Sequence, residues 1–283
     1  MILIADSGST KTTWSFFDRK GNRKDFITEG YNPYYLEAKY IISSIRKSLG
    51  ENIFFHEILH IYFYGAGCED SKKDIILISL QTLFKNAKIE VDSDMMAASK
   101  ALLGNGTGLA CILGTGTNSC LVSNGKIVHQ VESLGFLLGD EGSGAYLGRK
   151  LLSLYARKAL PERIMNCFYE DYGILPNEIL SHFYDAKLQN RFAAGFSPFL
   201  KSNISDLLIQ SLVREGLVDF FENIISKYPN YKIYELNCVG SIGFVFKDIL
   251  SSVAEDFGMV LGKIYQSPMD SLCNYHFDNI EIL

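Results

Sequence analysis

Two stretches of this chain share one design, and together they restrict its folds more than anything else in the sequence. In residues 2–17, ILIADSGSTKTTWSFF, an apolar run meets Asp6, then a small-residue turn with Gly8, Ser9, Thr10 and Lys11, then β-branched and aromatic residues. In residues 109–128, LACILGTGTNSCLVSNGKIV, an apolar run reaches Gly114, Thr115, Gly116 and Thr117, and a second run is closed by Asn124-Gly125. Each reads as strand, tight polar turn, strand, and Asn-Gly is a strong hairpin signal. No helical period follows the first turn, so it is neither a Walker loop nor a dinucleotide fingerprint, both of which run from glycine into a helix. Two such hairpins look like an internal duplication. They predict an α/β chain of two similar sheets whose turns would face each other across a cleft and grip one nucleotide.

The chemistry of the turns supports that expectation. Backbone N–H groups and hydroxyls in such a turn point outward together and can cradle phosphate, while Asp6 beside them can hold a magnesium ion directly or through water. Taken alone, the first turn is equally an ordinary hairpin tip. The second turn changes that balance, because a cleft needs two walls.

Between and after the hairpins lie four further stretches. Glu29–Tyr35, EGYNPYY, is a rigid loop with polar and aromatic faces, either a sugar-pocket lining or a plain loop before a helix over residues 36–49. A strand over residues 58–64 ends in Gly65, Ala66, Gly67 and Cys68, and a helix is expected from about Asp70 to Phe84. A short strand at residues 89–91 then runs into Asp92, Ser93 and Asp94 at the start of another helix. A carboxylate there can cap the helix or project as a general base, and on the residues alone capping is the better reading of Asp94. In GFLLGDEGSG, residues 135–144, Asp140 and Glu141 suit a helix start electrostatically, and the flanking glycines favour a ligand loop. Residues 161–228 read as helical scaffold. Gly240, Ser241 and Gly243 open a helix running towards Gly258, where a glycine turn can admit an adenine ring or a phosphate. Beyond Ser267 the sequence offers an apolar turn around Leu272 and no chemistry.

Composition narrows the function classes. With 283 residues, 47% hydrophobic and 21% charged, the chain is globular with core enough for two domains. A net charge of −5 without a Lys/Arg cluster argues against a nucleic-acid surface. Six cysteines with no C-x-x-C pair indicate buried free thiols in a reducing compartment. An amino terminus that enters a strand at once, with no apolar run long enough to span a bilayer, leads us to expect a cytoplasmic protein without a membrane partner.

Taken together, these motifs resemble the sugar-kinase, Hsp70 and actin superfamily, and within it the N-acetylglucosamine kinase-like group that shares its signature with BadF/BadG/BcrA/BcrD-type ATPases. DSGSTKT (Asp6 to Thr12) is similar to the first phosphate motif, GTGTNS (Gly114 to Ser119) to the second, and GSIG (Gly240 to Gly243) to the adenosine motif. In this order, joined by GDEGSGA, they cover nearly the whole chain. The resemblance implies two ribonuclease H-like (actin-like ATPase) domains flanking a nucleotide cleft, at residues 1–105 and 106–283, with the last helix able to pack back on the first domain. It implies ATP and Mg2+ as cofactors, a small-molecule sugar substrate, Asp94 as catalytic base, Asp6 as the magnesium position, and Asn32, Thr115, Gly135 and Asp140 as sugar contacts. A homodimer is compatible with it. One departure is Ser133, Leu134, Gly135 and Phe136, where sugar kinases carry glycine and an aromatic ahead of the GDEG loop. A BadF/BadG-type switch acting on a partner protein is the alternative to a kinase.

Overall fold

The apolar run after Met1 becomes the central strand of a sheet, with Leu3, Ile4 and Ala5 sealed from solvent on both faces. The computed structural model describes residues 1–8, 10–18, 20–50 and 55–279. Its contacts divide the chain into two units, Met1–Gly104 with Pro268–Leu283, and Asn105–Ser267.

The first unit runs β1 (Ile2–Ser7), β2 (Lys11–Phe17), β3 (Arg23–Glu29), α1 (Ala38–Leu49), β4 (His60–Gly65), α2 (Lys73–Leu83), β5 (Lys88–Ser93) and α3 (Asp94–Leu103). The sheet order is β3-β2-β1-β4-β5. The β1–β2 and β2–β3 pairs are antiparallel hairpins, whereas β4 and β5 join in parallel after helical crossovers. One face packs Leu3, Ala5, Trp14 and Phe63 on Ile41 and Ile45 of α1 and on Ile76 and Leu80 of α2. Ile41, Ile45 and Leu49 are spaced four apart, so α1 buries one stripe. The buried Trp14 indole donates to Thr28 Oγ1 at 3.0 Å, which satisfies its one polar atom.

The second unit repeats the plan. Its strands are β6 (Gly108–Leu113), β7 (Thr117–Ser123), β8 (Lys126–His129), β9 (Leu236–Val239) and β10 (Leu261–Tyr265), ordered β10-β9-β6-β7-β8. β6 takes the place of β1, pairing antiparallel with β7 and parallel with β9. Asn124 and Gly125 both have positive φ (50° and 71°), as a two-residue hairpin turn of the primed type requires. The crossover from β8 to β9 carries α4 (Gly135–Leu138), α5 (Gly144–Ala156), α6 (Glu162–Tyr172), α7 (Ile179–Asp185), α8 (Gln189–Ala194), α9 (Ser197–Ser202) and α10 (Leu207–Asn223). After β9 come α11 (Ser241–Val245) and α12 (Lys247–Asp256). Leu147 and Leu151 of α5 and Leu217 and Phe220 of α10 close over Leu109, Cys111 and Leu113 of β6. The matching strand orders are the duplication expected from the two hairpins, and each unit has the ribonuclease H-like arrangement.

The stretch 261–265, to which the sequence assigns no element, is the parallel edge strand β10, half-buried and irregular in register between Leu261 and Ile264, so it shows no alternation. One expectation needs correction. The supposed apolar turn near Leu272 is the helix α13 (Met269–Asn279), which belongs to the first unit and packs on α3, β1 and β2. Met269, Leu272, Cys273 and His276 all face inward, at helical spacing. Smaller shifts are the start of α2, where a 3-10 turn at Asp70–Lys72 precedes Lys73, and the split of the helix after Gly240 into α11 and α12. The six cysteines are free thiols, all buried except the half-buried Cys167. Among the described residues no helix is long and apolar enough to cross a membrane.

Candidate active site

In an open sheet, groups that leave the carboxyl ends of parallel strands converge on one edge. In the first unit the register aligns Asp6 with Tyr64 and Asp92, and Ser7 with Gly65 and Ser93. The turn after β1, the glycine turn after β4 and the start of α3 therefore share an edge. Gly8 N–H donates to Lys11 C=O at 3.0 Å and closes the first turn, while Thr10 and Lys11 are exposed. Ser9 lies outside the described residues. Beneath the turn, Ser7 Oγ and Thr12 Oγ1 are 2.7 Å apart, and Tyr31 N–H donates to Ser7 Oγ at 3.0 Å. These bonds fix the turn to the loop that carries Asn32. Asn32 Oδ1 accepts Tyr34 N–H at 2.9 Å. A Cβ on Gly67 (φ +75°) would lie 2.7 Å from that oxygen, so the turn after β4 needs glycine for Asn32 to sit against it.

Asp94 is the first residue of α3, but it is not the cap. Ser93 is, its Oγ accepting Met96 N–H at 3.2 Å. The carboxyl of Asp94 is thus not needed for the bond to Met96. Burial pushes its pKa up to about 6, with the charge of Glu69 adding and the N–H groups of Met95 and Asp94 itself opposing. Asp6 is pushed up to about 7, chiefly by burial, then by the charge of Asp94, against the pull of Lys11. Two carboxyls held this close to neutrality at one strand edge are an oxygen donor set suited to a hard divalent cation that keeps most of its waters. Among the described residues no group of three acidic, His or Cys side chains forms a ready-made metal site.

In the second unit the GTGT turn and the GDEGSG loop are laced together. Gly114 N–H donates to Gly116 C=O at 3.0 Å, Gly144 N–H to Gly114 C=O at 2.8 Å and Ala145 N–H to Thr115 C=O at 3.0 Å. Asp140, buried with φ +57°, accepts Thr117 N–H at 3.2 Å, and burial raises its pKa. Thr117, expected to touch the nucleotide, is turned inward. It is buried and its hydroxyl donates to Glu141 C=O at 2.7 Å, so it braces the turn instead. The α5 cap is Ser143, whose Oγ accepts Tyr146 N–H at 3.1 Å, and neither Asp140 nor Glu141 serves there.

The GSIG turn packs directly on the same strand end. Gly240 has φ +123°, and a Cβ on it would lie 2.3 Å from Leu113 C=O. A pocket of roughly 250 Å³ results, lined by Gly114, Thr115, Gly144, Ser241 and Phe246. Ser197, Pro198 and Lys201 of α9 complete it, although the sequence shows them only as scaffold. Ser-Pro there signals a helix start, with proline early in the first turn, and carries no chemical signature. Gly243 does not present itself to the pocket; it lets α11 approach Cys238, whose Sγ would be 2.6 Å from a Cβ. Gly135 stands at the exposed start of α4 with open space around it and is not among the pocket-lining residues.

No family model matches the chain, and no curated protein does. Among solved structures, a candidate N-acetylglucosamine kinase of Porphyromonas gingivalis is 38% identical, covering 99% of this chain and 99% of its own, with a TM-score of 0.93. The chain belongs to the actin-like ATPase/sugar kinase superfamily. Two more distant members share the fold. A candidate N-acetylglucosamine kinase of Chromobacterium violaceum has a TM-score of 0.71 at 16% identity, over 97% of this chain and 98% of its own. A ROK family glucokinase of Streptomyces griseus, solved with glucose and AMPPNP, has a TM-score of 0.54 at 13% identity, over 96% and 97%. The carboxyl pair of the first unit and the glycine pocket of the second are the candidate sites among the described residues.

Proposed function

We propose that the protein transfers the γ-phosphoryl group of ATP to a hydroxyl of N-acetylglucosamine or a closely related amino sugar. The observation that carries the reading is Asp94, a carboxyl beside the N-cap Ser93 at the carboxyl edge of the sheet, its pKa raised by burial to about 6. Such a group is ionised at neutral pH yet basic enough to accept a proton from a sugar hydroxyl as it attacks phosphorus. The likeness to the Porphyromonas gingivalis protein over almost the full chain supports the substrate class.

The remaining roles follow from chemistry. Asn32, oriented by the bond from Tyr34 N–H to its Oδ1, would donate its amide N–H to a sugar oxygen. The hydroxyls of Thr10 and Thr115 and the Lys11 ammonium would hold phosphate oxygens, and Ser241 and Phe246 would flank the nucleoside. Asp6 would hold Mg2+, which when bound with ATP neutralises charge on the phosphate oxygens. Asp140 supports the reading as the residue that fixes the second turn.

The test is an ATP-consumption screen across amino sugars and plain hexoses, with the phosphorylated product identified. Phosphorylation of an amino sugar with kcat/KM well above that for hexoses is expected. ATP hydrolysis indifferent to every sugar, together with a stable protein complex on pull-down, would instead favour the BadF/BadG-type switch.

A further inference from the structure

Outside the pocket just described, the second unit holds a larger cavity between α5 and α10, of about 610 Å³. That is within the range of roughly 300–1,000 Å³ typical of small-molecule sites. Its floor is apolar, formed by Leu154, Leu208 and Leu212, and its walls carry Arg149, Lys150 and Glu215. Counting Asp219, two carboxylates stand against two cations here, but both carboxylates lie on Lys150. Lys150 is matched twice, to Asp219 at 3.1 Å and Glu215 at 3.6 Å. Arg149 is half-buried, and among the described residues no carboxylate pairs with it. Its guanidinium lies 5.4 Å from the ring centroids of both Phe136 and Tyr146, and one N–H donates to Phe136 C=O at 2.8 Å. Arg157 brings a further cation to one end, hydrogen-bonded to Ser153 Oγ on the wall.

A half-buried guanidinium close to two rings, with no carboxylate in ion-pair contact among the described residues, is a ready partner for an anionic oxygen. The three leucines of the groove call for an apolar body, which neither a nucleotide phosphate nor a bare sugar supplies. We infer that this groove is a second ligand site, one that takes a small amphipathic anion, a carboxylate, sulfonate or phosphate on a compact apolar frame. The anion pairs with Arg149 and the frame covers Leu154, Leu208 and Leu212. The site stands apart from the catalytic reading, but α5 connects the two, since Gly144 at its start lines the glycine pocket. Arg149 also holds the carbonyl of Phe136, and its charge acts on Asp140. An occupant of the groove would therefore touch the residue that supports the turn before Asp140.

The probe is anilinonaphthalene sulfonate, titrated into the full chain by fluorescence with and without saturating AMPPNP. Saturable binding that AMPPNP leaves in place is expected, and Arg149→Gln should weaken it by about tenfold or more, as loss of a charged anchor does. Leu208→Glu changes the floor without touching the Phe136 contact, and should weaken binding to a similar degree if Arg149→Gln fails to fold. Displacement of the dye by AMPPNP, or affinity within twofold of the parent protein in the folded variants, would overturn the assignment.

Discussion

The charge of Asp94 works against the ionisation of Asp6. Asp6 is the last residue but one of β1 and Asp94 starts α3, and burial with this repulsion raises Asp6 to about 7 while burial raises Asp94 to about 6. If Asp94 is the base, kcat/KM should fall about tenfold per pH unit below 6, where its carboxylate is lost to protonation. Asp94→Asn should retain nucleotide binding, lose roughly a hundredfold or more in turnover and show no such acid limb. Turnover near that of the parent protein would remove Asp94 from the mechanism.

The same pair predicts how stability depends on pH. An acid whose pKa is higher folded than unfolded makes the folded chain bind more protons, so its contribution is present at low pH and is lost as pH rises through the folded value. For Asp6 that window runs from about 4 to about 7. In metal-free protein, Asp6→Asn should melt above the parent protein at pH 8, and the gap should close by pH 4. Added Mg2+ should raise the melting temperature of the parent protein at pH 8 and not that of the variant, which scanning fluorimetry reads directly.

What was legible in the sequence was the part built from local signals. The two hairpins announced themselves through apolar runs broken by small-residue turns, and Asn124-Gly125 named its own turn type. The role of Ser93 was hidden because Asp92, Ser93 and Asp94 are all competent caps, and only the backbone selects which oxygen faces Met96 N–H. The inward bond of the Thr117 hydroxyl was not legible because one hydroxyl in a glycine turn looks like the next, whereas the carbonyls of Glu141 and Asp140 decide its direction. Ser197 and Lys201 reach the pocket through a long-range packing of α9 that no local pattern encodes. The inward face of α13 was written at helical spacing, but polar residues between its members masked the period.

Gly240 offers a test of the second turn independent of catalysis. Its φ of +123° excludes a side chain, and a Cβ would press on Leu113 C=O and Gly114 N at the base of the GTGT turn. Gly240→Ala should cost roughly 1–3 kcal/mol of stability, the usual cost of a forced backbone conformation. It should also weaken nucleotide binding, because any relief moves Gly114. Calorimetric titration with AMPPNP separates this from Gly21→Ala, where a Cβ meets nothing within 4 Å and only the backbone strain remains.

The anchoring of α13 predicts a second pH effect of opposite sign. Tyr64 accepts a hydrogen bond from Lys100 Nζ at 2.8 Å and lies 2.9 Å from His276 Nε2, whose ring stacks on Tyr62 at 3.9 Å. Tyr64 therefore donates to a neutral His276, whose pKa burial lowers to about 4, with the charge of Lys100 assisting. A histidine with a depressed folded pKa releases protons on folding, so its contribution is full above about 6.5 and is lost as pH falls towards 4. His276→Gln should flatten the part of the melting curve's pH dependence that lies in this window. Tyr64→Phe keeps the ring but leaves the Lys100 ammonium and the His276 nitrogen without their shared partner, a loss of about 1–3 kcal/mol. Denaturant titrations at pH 7.5 and pH 5 measure both, and an unchanged slope in His276→Gln would mean that the histidine titrates as freely in the fold as in the unfolded chain.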